Sequence, residues 1–236
     1  MQLTHPNISR VCAESDIYEL LLTLDGASIL ELGCGKADIT RRIAMAHPTA
    51  RVVAAEVDSL QHAKNLAAGA PLNITFADFG AQSIALTAGS IDVVMMFKSL
   101  HPVPGLSYES AFGEIFRVLK PGGHAYISEP VFAGEFNDLI RIFNDEEVVR
   151  KAAFEAMCRA VASGQFQLAN ETFFLAPVNY KGFSEFAAKH FDVTHSERNV
   201  SDVQRLAVER LFNTHLGPHG VNISQQIRVD LLRKPQ

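Results

Sequence analysis

The sequence predicts an α/β protein: a doubly wound, mostly parallel sheet with helices on both faces. Three observations carry this. Short apolar runs alternate with helical patterns through the first 130 residues, the rhythm of right-handed βαβ units. The run Ile91-Asp92-Val93-Val94-Met95-Met96-Phe97 is apolar enough to be buried on both faces, as a strand is when helices cover both sides of its sheet. The 236 residues contain no internal repeat, low-complexity tract or linker rich in Pro, Gly or Ser, which favours one elaborated domain over residues 1–236.

The elements follow in order. A start helix over 8–24 has apolar residues at 17, 20, 21 and 24. Ile29-Leu30-Glu31-Leu32, stopped by Gly33, is the first strand, and Ile39 to Met45 the helix after it, ended by His47-Pro48. Arg51 to Val57 is a buried second strand, and Ser59 is expected to cap a helix running through Ala68. Asn73 to Ala77 is the third strand and Ile91 to Phe97 the fourth. Tyr108 to Leu119 carries apolar residues at 112, 115, 116 and 119, the spacing of an amphipathic helix. Pro121-Gly122-Gly123 breaks it and starts a fifth strand, His124 to Ser128.

Beyond residue 130 the rhythm changes. Phe132 to Ala162 reads as two helices, with Asn144 and Glu147 spaced as a capping box. Helical pattern returns from Phe183 to His190, so 131–190 is expected to be a mainly helical, substrate-side insertion. Phe191 to Glu197 and Ile223 to Leu232 read as two more strands around a helix at 201–213, making seven in all. Whether the last one pairs within the chain or across a homodimer stays open at this level.

Acidic residues outnumber Lys plus Arg by 26 to 21, and the longest basic clusters are the pairs Arg41-Arg42 and Arg233-Lys234. Nothing resembles a stripe that tracks phosphates, so nucleic acid is not expected as a partner. Cys12, Cys34 and Cys158 lie far apart, which fits a reducing compartment and a cytoplasmic location. Met1 to Pro6 lacks the pattern of a signal peptide, and no stretch of about 18 apolar residues suggests a membrane span. The nine histidines show neither HxH nor HExxH spacing, so no metal is expected.

The strongest motif is Ile29-Leu30-Glu31-Leu32-Gly33-Cys34-Gly35-Lys36-Ala37-Asp38, which leaves a buried strand and enters a helix. Glycines there let the backbone turn sharply and a ligand approach it closely. The helix start adds unpaired N–H groups and partial positive charge. Glu56, 21 residues after Gly35, stands at the second strand's tip, where an acid can accept both hydroxyls of a ribose. Asp58 competes for that role, although it also fits the helix start. Asp78 follows the third strand, where a carboxylate can accept an adenine amino hydrogen while Phe79 or Val57 packs on the ring; alone, it reads as a turn acid.

Taken together on successive strand ends, these segments resemble the class I S-adenosylmethionine-dependent methyltransferases, in particular the small-molecule branch typified by ubiquinone-biosynthesis enzymes. Leu30-Glu31-Leu32-Gly33-Cys34-Gly35 is similar to the family's first motif, Val52 to Glu56 to its ribose-binding strand, and Phe76-Ala77-Asp78-Phe79 to its adenine-binding segment. Ser90 to Val94 and Ile115 to Gly123 match the fourth-strand signature and the segment before strand five, so the resemblance spans about residues 25 to 130. It implies a Rossmann-like sheet with an antiparallel last strand, S-adenosyl-L-methionine as cofactor and a small-molecule methyl acceptor. It also implies a cofactor site of Glu31, Gly33, Cys34, Gly35, Glu56, Val57, Asp78 and Phe79. One departure is Ala37, where the family usually has a third glycine.

Two other readings compete with this one. A nicotinamide-dependent oxidoreductase would need glycine at position 38, where Asp38 would repel a pyrophosphate. A non-catalytic binding module could keep the same sheet. On the acceptor side, Lys98, Ser99, His101 and Glu129 follow strands four and five. His101 could deprotonate a hydroxyl acceptor, or be an ordinary loop histidine. Glu129 could be a base, brace the insertion or pair with Lys98. Tyr18 could line the pocket or pack. Phe132, Phe136, Phe143, Phe173 and Phe174 could wall an apolar substrate or form core.

Overall fold

A computed structural model describes residues 1–191 and 200–236. Strands β1 (Ser28–Leu32), β2 (Arg51–Ala55), β3 (Ile74–Ala77), β4 (Ile91–Phe97) and β5 (Leu119–Pro130) pair in parallel. Helices α2 (Asp38–Ala46), α3 (Ser59–Ala67) and α4 (Tyr108–Val118) make the crossovers. With β6 at Gln167–Tyr180 and β8 at Gly220–Arg233, the strand order is β3-β2-β1-β4-β5-β8-β6. The chain therefore starts in the middle of the sheet, runs outward to β3, then jumps back to β4 beside β1. That reversal opens a crevice at the carboxyl ends of β1 and β4, where doubly wound sheets bind ligands.

The alternating side chains of β4 explain its continuous apolar run. Val93 and Met95 enter the core shared with α1 (Glu14–Leu21), whereas Val94 and Met96 enter the core under α4 and α6 (Glu147–Ala162). A strand covered on both faces has no polar side to show.

The far half of the sheet differs from expectation. Among the described residues the sheet has eight strands, not seven. Strand β8 (Gly220–Arg233) runs antiparallel to both neighbours, between β5 and β6 (Gln167–Tyr180), and the two-residue β7 (Leu216–Gly217) pairs with it. The closing strand thus finds both partners within the chain. The strand expected at Phe191–Glu197 lies, from 192 on, outside the described residues. Strand β6 falls inside the insertion expected to be mainly helical. Its Thr172, Phe173, Phe174, Val178 and Tyr180 suit a pleated surface, and Pro177 is tolerated because β6 lies at the sheet's margin. The insertion's helices are α5 (Glu135–Ile140), α6 and α7 (Phe183–His190). A third core joins α5 and α7 to α8 (Asp202–Thr214) through Phe136, Tyr180, Phe186 and Phe212.

Three helix starts also differ. Helix α1 spans Glu14–Leu21 and not 8–24, because the segment before it pairs with β6: Cys12 N–H donates to the Leu175 carbonyl and Leu175 N–H to that of Arg10. Asp58, not Ser59, caps α3, accepting the N–H groups of Leu60 and Gln61. The capping box at Asn144 and Glu147 is not formed; Asn144 donates to the Glu146 carboxylate, and Glu146 takes the cap position. No described helix is long and apolar enough to cross a membrane.

Candidate functional site

The turn after β1 is built around its backbone. Gly33 and Cys34 both donate their N–H groups to the Ala55 carbonyl at the end of β2, at 2.9 and 3.0 Å. Gly33 has φ +72°, and a Cβ there would stand 2.7 Å from that of Ser99, whose hydroxyl donates to the Leu32 carbonyl at 2.6 Å. Gly33 is thus held against the loop after β4. Gly35 differs: at φ +53° a Cβ would meet nothing within 4 Å. It leaves an open cradle at the mouth of the crevice, of the kind a ligand fills by approaching bare backbone.

Glu56 closes the turn from the β2 side. Its carboxylate accepts Gly35 N–H at 2.7 Å through Oε2 and Asp58 N–H at 2.9 Å through Oε1, and the residue is 8% exposed. Each carboxylate oxygen has a second lone pair, so both retain capacity for a ligand hydroxyl. Val57 beside it is 65% exposed, and its methyl overlies Gly80. Glu56 N–H donates to the Ala77 carbonyl, which brings the end of β3 alongside. Asp78 comes next and is exposed, while Phe79 is half-buried against the core under α4.

Glu31 lies inside the turn, 3% exposed, and accepts the Thr40 hydroxyl at 2.5 Å. Burial pushes its carboxyl up to about 7; the Thr40 bond opposes this, and Glu56 adds to it. No cation pairs with Glu31 among the described residues. A buried carboxylate in that state suits a ligand that brings its own positive charge. Sequence reasoning missed two supports. Thr40 is one; the other is Asn65, 2% exposed on α3, whose amide donates to the Gly35 carbonyl at 2.7 Å. A polar residue in mid-helix was the signal for Asn65. Ala37 takes the cap of α2 with left-handed angles (φ 58°, ψ 30°). This is the conformation a glycine would adopt at least cost, and it explains why glycine is usual there.

In the loop after β4, Lys98 also has positive φ, and its ammonium donates to Gln225 Oε1 at 2.6 Å. His101, 8% exposed, is bonded through Nδ1 to Glu129 Oε2 at 2.5 Å, and Glu129 Oε1 accepts Leu100 N–H at 2.8 Å. Glu129 therefore pairs with His101 and not with Lys98. On the other side, His101 Nε2 faces Glu146 Oε2 at 3.7 Å, and Arg150 donates to that same oxygen at 2.6 Å. Burial alone would lower the histidine's pKa, but Glu129 and Glu146 outweigh it and raise it to about 9. Burial would likewise raise Glu146; His101 and Arg150 bring it down to about 2. The imidazole is held as a cation that donates hydrogen bonds, and the network ties the ends of β4 and β5 to the insertion. The i,i+4 spacing of Glu146 and Arg150 was the sequence signal for this tie.

The aromatic residues divide. Phe136, Phe143 and Phe174 belong to the cores. Phe132 lies under the guanidinium groups of Arg141 and Arg150, at 5.0 and 5.8 Å, and Phe173 packs near His5. Tyr18 is 3% exposed, with its edge toward Phe97 and Tyr126.

Residues 29–123 match the family model of a methyltransferase domain. This stretch is a class I methyltransferase domain. A demethylmenaquinone methyltransferase of Lactococcus lactis is 36% identical over 110 residues, covering 45% of this chain and 43% of the relative. Across three curated relatives the chain spans 34% to 53% of their length. The fold extends beyond the domain match. A SAM-dependent methyltransferase of Methanosarcina mazei superposes with TM-score 0.58 at 15% identity, covering 95% of this chain and 99% of that one. The [4+2]-cyclase SpnF superposes with TM-score 0.62 at 18% identity, covering 94% and 79%. Because one of these neighbours is named a cyclase, the methyltransferase domain's chemistry has to be argued from its site and not from its fold.

Proposed function

We propose that this protein transfers the methyl group of S-adenosylmethionine to a small-molecule acceptor. The observation that carries the reading is the Glu56 carboxylate, which pins the Gly35 cradle while keeping acceptor capacity at the mouth of the crevice. In this reading the backbone of Gly33, Cys34 and Gly35 holds the methionine end, and Glu31 balances its ammonium. Glu56 accepts the ribose hydroxyls, Val57 and Phe79 pack on the adenine, and Asp78 accepts its amino hydrogen. When bound, the cofactor supplies an electrophilic methyl, so the protein's contribution is alignment and exclusion of water. His101 and Glu129 bound the acceptor side in this reading, and the relative named for demethylmenaquinone supports a small-molecule acceptor. The three free cysteines and the acidic balance support a cytoplasmic setting without nucleic acid.

Isothermal titration tests this directly. S-adenosylmethionine and S-adenosylhomocysteine are expected to bind and NADH is not, since Asp38 stands where a dinucleotide fingerprint needs glycine. Binding of NADH alone would overturn the reading. Glu31 adds a pH signature. With its carboxyl near 7, the ionised fraction climbs from about a tenth at pH 6 to about nine-tenths at pH 8. Affinity for the ammonium-bearing cofactor is expected to rise about tenfold over that span, and Glu31→Gln to abolish the rise. A pH-independent affinity in the parent protein would remove Glu31 from the ammonium role.

A further inference from the structure

Residue 40 is polar where its neighbours are apolar. Helix α2 buries Thr40, Ile43 and Ala44, and the last two enter the core shared with α1 and β1. Thr40 is 0% exposed, and a hydroxyl so buried needs a partner. It donates to Glu31 Oε2 at 2.5 Å. The other oxygen of Glu31 accepts no hydrogen bond among the described residues. The carboxylate is therefore gripped on one side and free on the other.

The surroundings make that grip matter. The titratable groups facing Glu31 are Glu56 from β2, the Cys34 thiol from the turn and the Tyr18 phenol from α1. Glu56 opposes a negative charge on Glu31. Burial pushes the thiol up to about 12 and raises the phenol, and neither can supply a positive charge. The two arginines of α2 are engaged elsewhere. Arg41 donates to the carbonyls of Lys36 and Gly69, and Arg42 is exposed and lies toward Glu14 and Tyr18. A hydrogen bond donated to a carboxylate favours its charged form, and Thr40 is the donor that Glu31 has.

We propose that Thr40 is a positioning residue for the cofactor's methionine end: its hydroxyl keeps Glu31 ionised and fixes one carboxylate oxygen, which leaves the other for the ligand's ammonium. Thr40 takes this role only if the methyltransferase reading holds, whereas its effect on Glu31 belongs to the protein alone. The two can therefore be measured apart.

Thr40→Val keeps the shape and removes the donor. Carbon NMR of the ligand-free protein, labelled at its glutamate carboxyls, follows Glu31 directly, with the resonance assigned by its loss in Glu31→Gln. Glu31 is expected to titrate about one to two pH units higher in Thr40→Val than in the parent, the size of a hydrogen bond to an ionised group, and Thr40→Ser should restore it. At pH 7 the parent carboxyl is near half ionised, and a shift of one unit leaves about a tenth. S-adenosylhomocysteine, which carries the ammonium, is therefore expected to bind Thr40→Val about fivefold or more weakly. 5′-Methylthioadenosine, which lacks the amino-acid end, should bind both proteins within about twofold. In a Glu31→Gln background, Thr40→Val should change either affinity by less than about twofold. An unmoved Glu31 titration overturns the proposal. Equal weakening of both nucleosides also overturns it, because residue 40 then only shapes the turn. If the parent binds neither nucleoside, the cofactor reading fails and takes the role of Thr40 with it, even where the titration has moved. Binding of both with an unmoved titration keeps the reading and removes Thr40 from it.

Discussion

Glu129→Ala is expected to lower stability by about 3–5 kcal/mol, the usual cost of removing one partner from a buried ion pair. The residue is 4% exposed and serves two donors at once, His101 Nδ1 and Leu100 N–H. Truncation leaves His101 Nδ1 and the Leu100 N–H without their acceptors. For a chain of this length, a melting-temperature drop on the order of 10 °C follows. Calorimetry or a urea titration reads it, and a loss below about 1 kcal/mol would show that water enters freely.

The same network fixes the sign of a pH dependence. His101 is raised from its ordinary value to about 9, so its contribution is fully present below pH 6.5 and lost as pH rises through 9. The parent protein is expected to lose on the order of 3 kcal/mol across that window. Glu129→Ala should flatten the slope, because the histidine then keeps only Glu146 as an anionic partner. A parent stability unchanged between pH 6.5 and 9.5 would mean that His101 is neutral. In that case Nε2 could serve as a base toward an acceptor hydroxyl instead of a donor.

Glu56→Ala has the largest expected effect on binding. S-adenosylmethionine is expected to lose at least about tenfold in affinity, one to two kcal/mol for charge-assisted bonds to the ribose hydroxyls. The loss should exceed that of a residue that only touches ligand, because Glu56 also holds Gly35 and Asp58 in place through their N–H groups. Two effects are therefore separable. The ligand-free protein should fall in stability by about 1–3 kcal/mol as those donors lose their partner, and the dissociation constant should rise on top of this. Glu56→Gln, which keeps one acceptor oxygen, should fall between the parent and the alanine variant in both. An unchanged dissociation constant, read by titration calorimetry, would take Glu56 out of the ribose role even if stability fell.

The parts of the candidate site that the sequence points to share a physical origin. Glu31, Gly33, Gly35, Glu56 and Asp78 sit at or just beyond strand ends, and strand ends are announced locally by an apolar run stopping at glycine or an acid. Once βαβ handedness is fixed, the ends of β1, β2 and β3 must lie side by side, so a one-dimensional order of motifs already defines a crevice. Less was legible where partners are distant in sequence. The pairing of Glu129 with His101 spans 28 residues. Strand β6 gains its place only by meeting β8, about fifty residues later, and its mixed pattern of Asn, Glu, Pro and aromatics does not announce a strand by itself.

Sequence alone determined the parallel half of the sheet, its direction of winding and the glycine turn with its two following acids, because each depends on periodicity and turn chemistry within a few residues. Only the tertiary structure decided that His101 is caged between two carboxylates, that β8 is enclosed on both sides, and that α6 closes an apolar cleft against the loop after β4. Those features depend on burial and on charges brought together from separate elements. A pKa and a cavity are properties of surroundings, and surroundings exist only after the chain has packed.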